Sequence, residues 1–368
     1  MKDFHGMIFA YSASPELSVL VKDRTAASLP FCGRYRLIDF ALSSMRNAGI
    51  LDVGVIMQRD YQSLLDYMGS GKTWDMSRHS GGLRMLPPFG LPEYHTGNYT
   101  GTIEALNAVS TYINGISEKY IVLMLGNLCA NIDLSAPMEQ HRRSGAEITA
   151  ICGEGPCGDS RYRFVQGEDG FVSQISFGGE DGGATSLEAY VINKSTLLGM
   201  MEQCKQHNLY RFHKDALSAF MERGGRMDVY LHRGYSSAIR SIPAYYKASM
   251  DMLKKENRDK LFSAELPVRT RDVEEVSTYY GVRASSRNCL VADNCIIEGD
   301  MENCIVFSGV RVAPGVTLRD SIIFSGCELG KWTELDCVIA DKYCTFAPGT
   351  TLIGSSGLPF VVPKHSSI

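Results

Sequence analysis

One tetrapeptide recurs towards the end of this 368-residue chain: Asn288-Cys-Leu-Val291, Asn294-Cys-Ile-Ile297, Asn303-Cys-Ile-Val306, Asp320-Ser-Ile-Ile323 and Asp336-Cys-Val-Ile339. The starts lie 6, 9, 17 and 16 residues apart, and Val306, Val312, Leu318 and Phe324 fall six apart, a step that Leu329 and Leu335 resume. A six-residue period marks a parallel β-helix, in which each short strand turns an aliphatic or small residue inward and three hexapeptides close a triangular coil of roughly 18 residues. Ala313-Pro-Gly-Val-Thr-Leu318 returns 34 residues later as Ala347-Pro-Gly-Thr-Thr-Leu352, which puts one turn on two coils. The competing fold is an antiparallel sandwich of short strands. It lacks its usual signal, since no Asn-Gly hairpin dipeptide occurs in the segment.

The chain before the repeat reads differently. Met7-Ile-Phe-Ala-Tyr11, Val53-Gly-Val-Ile-Met57 and Tyr120-Ile-Val-Leu-Met-Leu125 are short apolar runs between helix-like stretches, as expected of sheet strands covered on both faces. The expected organisation is therefore an α/β domain over residues 1–253, a charged linker over 254–282 and a β-helix over 283–368. The formal net charge of −4 and the lack of a Lys/Arg cluster disfavour nucleic acid as a partner. No apolar run approaches the roughly 20 residues of a membrane helix, and the first residues show no signal-peptide core, so a cytoplasmic chain with no membrane partner is expected. Eleven cysteines without a C-x-x-C pair, beside eight scattered histidines, give no zinc spacing. They read as reduced thiols, mostly small buried hydrophobes.

Familiar nucleotide motifs fail on inspection. Gly69-Ser-Gly-Lys-Thr73 lacks the first glycine of a phosphate loop, whose place is taken by Asp66. After Tyr11 come Ser12-Ala-Ser-Pro-Glu16, without the glycines of a dinucleotide fingerprint and with a carboxylate that would repel a pyrophosphate. A hexapeptide β-helix can itself form an acyltransferase, but no histidine base lies between His232 and His365. The repeat is thus expected to serve assembly or regulation.

Pro30-Phe-Cys-Gly-Arg-Tyr-Arg-Leu-Ile-Asp-Phe-Ala-Leu-Ser-Ser44 closely resembles a segment of the bacterial glucose-1-phosphate adenylyltransferases, the ADP-glucose pyrophosphorylases of glycogen synthesis. The resemblance continues through Asn47-Ala-Gly-Ile50, Gln58, Trp74-Asp-Met-Ser-Arg78, Gly81-Gly82, Leu86-Pro-Pro88, Tyr99-Thr-Gly-Thr102, Ala340-Asp-Lys342 and Pro348-Gly349. It implies a Rossmann-like nucleotidyltransferase domain of the GT-A-like kind followed by a left-handed parallel β-helix. It also implies residual substrate positions at Gln58, Tyr99, Gly101, Thr102 and Ser186.

The departures from that family point away from catalysis. Its G-G-x-G-T-R loop aligns with Tyr11, Ser12, Ala13, Ser14, Pro15 and Glu16, and its two Mg²⁺-binding aspartates align with Asn127 and Ala238. Two family lysines align with Ala26 and Glu180, and a glycine near the sugar with Arg163. Nucleotidyl transfer rests on positioning and on neutralising developing charge, so these losses strike the chemistry directly. The chain resembles the GlgD-type subunit, a noncatalytic regulatory or structural paralogue that joins a catalytic subunit in a hetero-oligomer. No catalytic residue and no tightly bound cofactor are expected, with Mg²⁺ confined to the partner subunit. A weakly active or altered nucleotidyltransferase, using other carboxylates such as Asp39 or Glu104, and a free-standing sugar-phosphate sensor are the alternatives. Arg24 and Arg36 resemble part of the family's basic effector cluster and are expected to hold a regulatory anion such as a sugar phosphate. A homo-oligomer is the alternative assembly.

Overall fold

The computed structural model describes residues 3–11, 15–58, 60–79, 81–88, 99, 101–178 and 182–368. Ser12 to Ser14, Thr100, Glu180 and Asp181 lie outside the described residues. A nine-stranded mixed sheet organises the N-terminal domain. The three apolar runs become neighbouring parallel strands, with Phe4–Phe9 between Val53–Ile56 and Tyr120–Leu125, and Phe9 is paired with both Ile56 and Leu125. All three chains therefore leave the sheet at one edge, the carboxyl end of parallel strands where α/β proteins place ligands. On the far side of Tyr120–Leu125 the long strand Ala184–Asn193 runs antiparallel.

Alternation along the first strand sorts its side chains between two cores. Phe4 and Ile8 face helix Ile38–Asn47, packing on Ile38, Leu42 and Met45. Met7 and Phe9 face the opposite core, with Ile103, Leu106, Leu197 and Phe212. Helix Lys255–Leu261 lies in the expected linker, whose last part begins the first coil with strand Tyr279–Tyr280.

The repeat forms three five-stranded parallel sheets, the arrangement of a left-handed parallel β-helix. Its inward residues include Val306, Val312, Leu318, Leu329 and Leu335 on the three sheets, all fully or almost fully buried. The coil departs from the 18-residue expectation. Ile305 pairs with Ile322 and Ile322 with Ile339, so each coil there takes 17 residues, and the 34-residue recurrence spans two of them. One side, Thr317 to Ile322, is a residue short: only Asp320 and Ser321 separate its strands, and Asp320 is left-handed. Asn288, Asn303, Asp320 and Cys337 hold that position on successive coils with φ of 50°, 53°, 44° and 50°. Asn and Asp tolerate this conformation best among residues with a side chain, which explains the first letter of the tetrapeptide. Asn288 Nδ2 donates to Asn303 Oδ1 at 2.8 Å, and Asn303 Nδ2 to Asp320 Oδ1 at 3.1 Å. The Asn294 copy sits at a different corner, in column with Gly309, Gly326 and Tyr343.

The third sheet of the β-helix is covered by the N-terminal domain. Ile305, Phe307, Ile322, Phe324 and Ile339 pack with Phe31, Phe40, Tyr245 and Tyr246 in one apolar cluster. Tyr245 donates to the Pro30 carbonyl and Tyr246 to the Asp320 carbonyl, each at 2.6 Å.

Candidate functional site

At the carboxyl edge of the sheet, Leu128–Ala130 pairs antiparallel with Ser236–Ala238, and Leu128 stands opposite Ala238. This ribbon brings together Asn127 and Ala238, the two positions that the resemblance sets against the family's metal aspartates, although 110 residues lie between them. Asn127 is buried, and its Nδ2 donates to the Ile239 carbonyl at 2.7 Å. Ala238 offers a buried methyl group. The carboxylates held against the same ribbon are both engaged by one arginine. Asp159 Oδ2 accepts from the Arg240 backbone N–H at 2.9 Å, and Glu188 forms an ion pair with the Arg240 guanidinium. Mg²⁺ demands oxygen ligands in near-octahedral array, commonly with carboxylates among them. An amide bonded to a carbonyl, a methyl group and two arginine-bound carboxylates do not fit that ion. Among the described residues no group of three or more His, Cys, Asp or Glu side chains is placed to hold a metal.

Three of the residual substrate positions, Gln58, Tyr99 and Ser186, are buried. Gln58 is buried just past the Val53–Ile56 strand. Tyr99 is buried against Tyr11, with ring centroids 5.5 Å apart. Gly101 precedes helix Thr102–Ala108, and a Cβ there would lie 2.1 Å from the Tyr210 carbonyl oxygen, so only glycine allows this approach. Ser186 is fully buried at the start of a bulge in Ala184–Asn193, where its Oγ lies 3.1 Å from the Tyr190 hydroxyl. Tyr190 is in turn 2.5 Å from His213 Nε2, and Tyr162 stacks on the His213 ring at 3.6 Å. Burial lowers the His213 pKa to about 4, so this chain of polar groups is neutral at ordinary pH. Glu16 is exposed and lies 4.0 Å from Arg161. Ala26 is buried in a short 3₁₀ turn.

A nucleotidyl transferase family model matches residues 16–171, and a GlmU-like C-terminal hexapeptide model matches residues 274–356. Glucose-1-phosphate adenylyltransferases of Bacillus anthracis, Bacillus thuringiensis (strain Al Hakam) and Bacillus mycoides (strain KBAB4) are each 26% identical over 352 residues, covering 94% of this chain and 93% of theirs. The chain is related to the bacterial glucose-1-phosphate adenylyltransferases. It shares their length and carries both of the matched domain types in order.

A second feature of this adenylyltransferase relative lies between the domains. A cavity of about 920 Å³ is lined by Arg36, Tyr67 and Arg271 on one side and by Leu290, Ala292 and Lys342 on the other, and Asp272, Glu274, Glu275 and Asp293 also stand on its wall. Arg36 donates to the Ser63 carbonyl at 2.9 Å and lies 4.1 Å over the Tyr67 ring. Burial, with Arg36 and Arg24 nearby, lowers the Lys342 pKa to about 8. Arg24 does not line the cavity. It is buried in an ion pair with Asp341 of the β-helix, with its guanidinium 5.8 Å from the Phe324 ring centroid. Asp39 accepts from the Arg36 N–H and from Tyr67 rather than facing the ribbon. Sequence reasoning missed Arg271 and Lys342 as cavity residues. Lys342 stood in a matched tripeptide, whereas nothing local distinguishes Arg271 from other linker charges.

Proposed function

We propose that this chain is a catalytically silent regulatory or structural subunit of a hetero-oligomeric ADP-glucose pyrophosphorylase of glycogen biosynthesis. Its partner would be a catalytic subunit that joins ATP and glucose 1-phosphate into ADP-glucose and diphosphate. The observation that carries this reading is the ribbon that unites Asn127 and Ala238: the fold keeps the two positions together while neither presents a carboxylate. Loss of several stabilising groups at about 10²-fold each removes useful turnover, even if the effects are not additive. The buried Ser186, Tyr190 and His213 chain supports a structural role for the residual substrate position Ser186 as well.

Assembly is assigned to residues 283–368. One sheet of the β-helix is already covered by the N-terminal domain, which leaves the other two and the open ends. Tyr279, Tyr280 and Val282 are exposed at the first coil and Ile353, Leu358 and Phe360 at the last. The regulatory anion is assigned to the cavity between the domains, with Arg36 and Lys342 as contacts and Arg24 holding the β-helix wall in place through Asp341.

The deciding experiment assays the purified chain with ATP, glucose 1-phosphate and Mg²⁺, alone and mixed with its catalytic paralogue. Negligible turnover alone, with changed kinetics and co-elution in the mixture, is expected. Mg²⁺-dependent synthesis that a mutation in this chain abolishes would establish an active enzyme instead, and independent elution with anion binding would establish a free-standing sensor.

A further inference from the structure

Immediately after the left-handed corner, the β-helix carries a column formed by Cys289, Cys304, Ser321 and Val338 on successive coils, as the pairing of Leu290 with Ile305, Ile305 with Ile322 and Ile322 with Ile339 requires. The first three share one local bond. Cys289 Sγ reaches the Arg287 carbonyl at 3.2 Å, Cys304 Sγ the Glu302 carbonyl at 3.1 Å and Ser321 Oγ the Arg319 carbonyl at 2.6 Å. A small hydrogen-bonding side chain therefore satisfies the corner, and serine does so as well as cysteine. The corner does not by itself ask for two thiols on neighbouring coils.

The Cys289 sulfur reaches the next coil at Cys304. The Cys304 backbone N–H donates to Cys289 Sγ at 3.4 Å, so the upper sulfur leans towards the lower coil. Paired β-strands lie roughly 4.7–4.9 Å apart, inside the roughly 4.4–6.8 Å range of Cα separations that a disulfide spans. Cys289 is partly exposed, whereas Cys304 is fully buried beneath it. The interaction with Cys304 and the surrounding backbone bonds pull the Cys289 pKa below that of an ordinary thiol. A thiolate within reach of solvent and backed by a second thiol is the arrangement of an oxidisable pair.

We propose that Cys289 and Cys304 form a redox modification site, at which hydrogen peroxide converts the two thiols into a disulfide that staples the first coil of the β-helix to the second. The Cys289 thiolate attacks the peroxide, its S–O bond forms as the O–O bond breaks, and the departing hydroxide takes a proton to become water. The Cys304 thiol then attacks the sulfenic sulfur, the S–S bond forms and a second water leaves with the Cys304 proton. Two thiols are oxidised, and one hydrogen peroxide is reduced. The neighbouring residues Leu290, Val291 and Ala292 line the cavity between the domains, so the staple fixes one wall of that cavity. Cys327 and Cys344 also occupy adjacent coils, but both are fully buried and offer an oxidant no approach. They serve as an internal control.

The test treats the reduced full-length chain with graded hydrogen peroxide, blocks the remaining thiols and maps peptides. Trypsin releases residues 288–311 as one peptide containing Cys289, Cys295 and Cys304, and cleavage after Glu298 and Glu302 separates the pair. The expected result is loss of two hydrogens, with Cys289 joined to Cys304, Cys295 still alkylated and full reversal by dithiothreitol. Cys289→Ser and Cys304→Ser each abolish the link, the latter in a corner that Ser321 shows to accept serine. Overoxidation of Cys289 with Cys304 still free, a Cys327–Cys344 link formed first, or no change in the peptide would overturn the proposal.

Discussion

Asn127 and Ile239 are joined twice: the Asn127 side chain donates to the Ile239 carbonyl at 2.7 Å, and the Ile239 N–H returns to the Asn127 carbonyl at 3.2 Å. The reciprocal pair fixes the end of the ribbon and occupies the amide nitrogen, so this position offers at most a neutral oxygen and no carboxylate. Asn127→Asp exchanges the donor for a carboxylate against a carbonyl in a buried setting, at a cost of roughly 1–3 kcal/mol. The variant should unfold at lower denaturant than the parent at pH 8 and recover part of the difference at pH 5, where the carboxyl can hold a proton. Added Mg²⁺ should leave its stability unchanged, because Ala238 supplies no second carboxylate; a Mg²⁺-dependent rise of the midpoint would show that the site is still able to take the ion.

Arg24 and Asp341 are both buried and lie on opposite domains. Removing one member leaves an unpaired charge inside the protein, which typically costs about 3–5 kcal/mol. Arg24→Ala should therefore loosen the β-helix from the N-terminal domain, seen as faster proteolysis between residues 262 and 278. The double variant Arg24→Met with Asp341→Asn should recover much of the loss, since Asn can still accept the Lys342 N–H that Asp341 Oδ1 takes at 2.7 Å. An Arg24→Ala protein of parental stability would show that the pair contributes nothing to docking.

Much of the architecture was legible because periodicity is a direct imprint of strand geometry. The six-residue step identified the β-helix, and the apolar runs ending at Tyr11, Met57 and Leu125 marked three strands that became neighbours. The corners were less legible. Asn, Asp, Gly and Cys all occupy left-handed positions here, so the five tetrapeptide copies looked equivalent while Asn294 turned a different corner and Cys337 replaced Asp336. Long-range partners left no local mark. Arg24 could be noticed as basic, but its carboxylate lies 317 residues away, and only the fold reveals that its charge is taken.

Asp39 makes stability depend on pH. Burial raises its pKa from 3.8 to about 6, against the lowering effect of bonds from the Arg36 N–H and Tyr67. Because the folded value lies above the unfolded one, the native state holds the extra proton between about pH 4 and 6, and this group's contribution to stability falls as pH rises through that window. The full effect is on the order of 3 kcal/mol. Asp39→Asn should remove it, so the stability difference between variant and parent should grow in the variant's favour from pH 4 to pH 6.5. A difference independent of pH, measured by urea unfolding, would show that Asp39 titrates normally.

Lys342 sets the pH range over which the cavity can hold an anion. Its pKa is lowered to about 8 by burial first and by Arg36 and Arg24 next, so it is charged at pH 7 and largely neutral at pH 9. Arg36 keeps its charge throughout this range, and burial raises the Tyr67 pKa beyond it, which leaves Lys342 as the titrating contact among these three. A bound phosphate stabilises the ammonium form and raises its pKa, so affinity falls as pH rises through 8, by up to about tenfold for each unit of that rise. Inorganic phosphate and a sugar phosphate, titrated into the full-length chain by calorimetry between pH 7.5 and 9, should both show the decline. Lys342→Met should bind more weakly at pH 7.5 and show a nearly flat profile, whereas Arg36→Ala should weaken binding and, by removing a charge that lowers the Lys342 pKa, move the decline to higher pH. A parental protein whose phosphate affinity does not change across this range, or a Lys342→Met variant that keeps the parental slope, would remove Lys342 from the site.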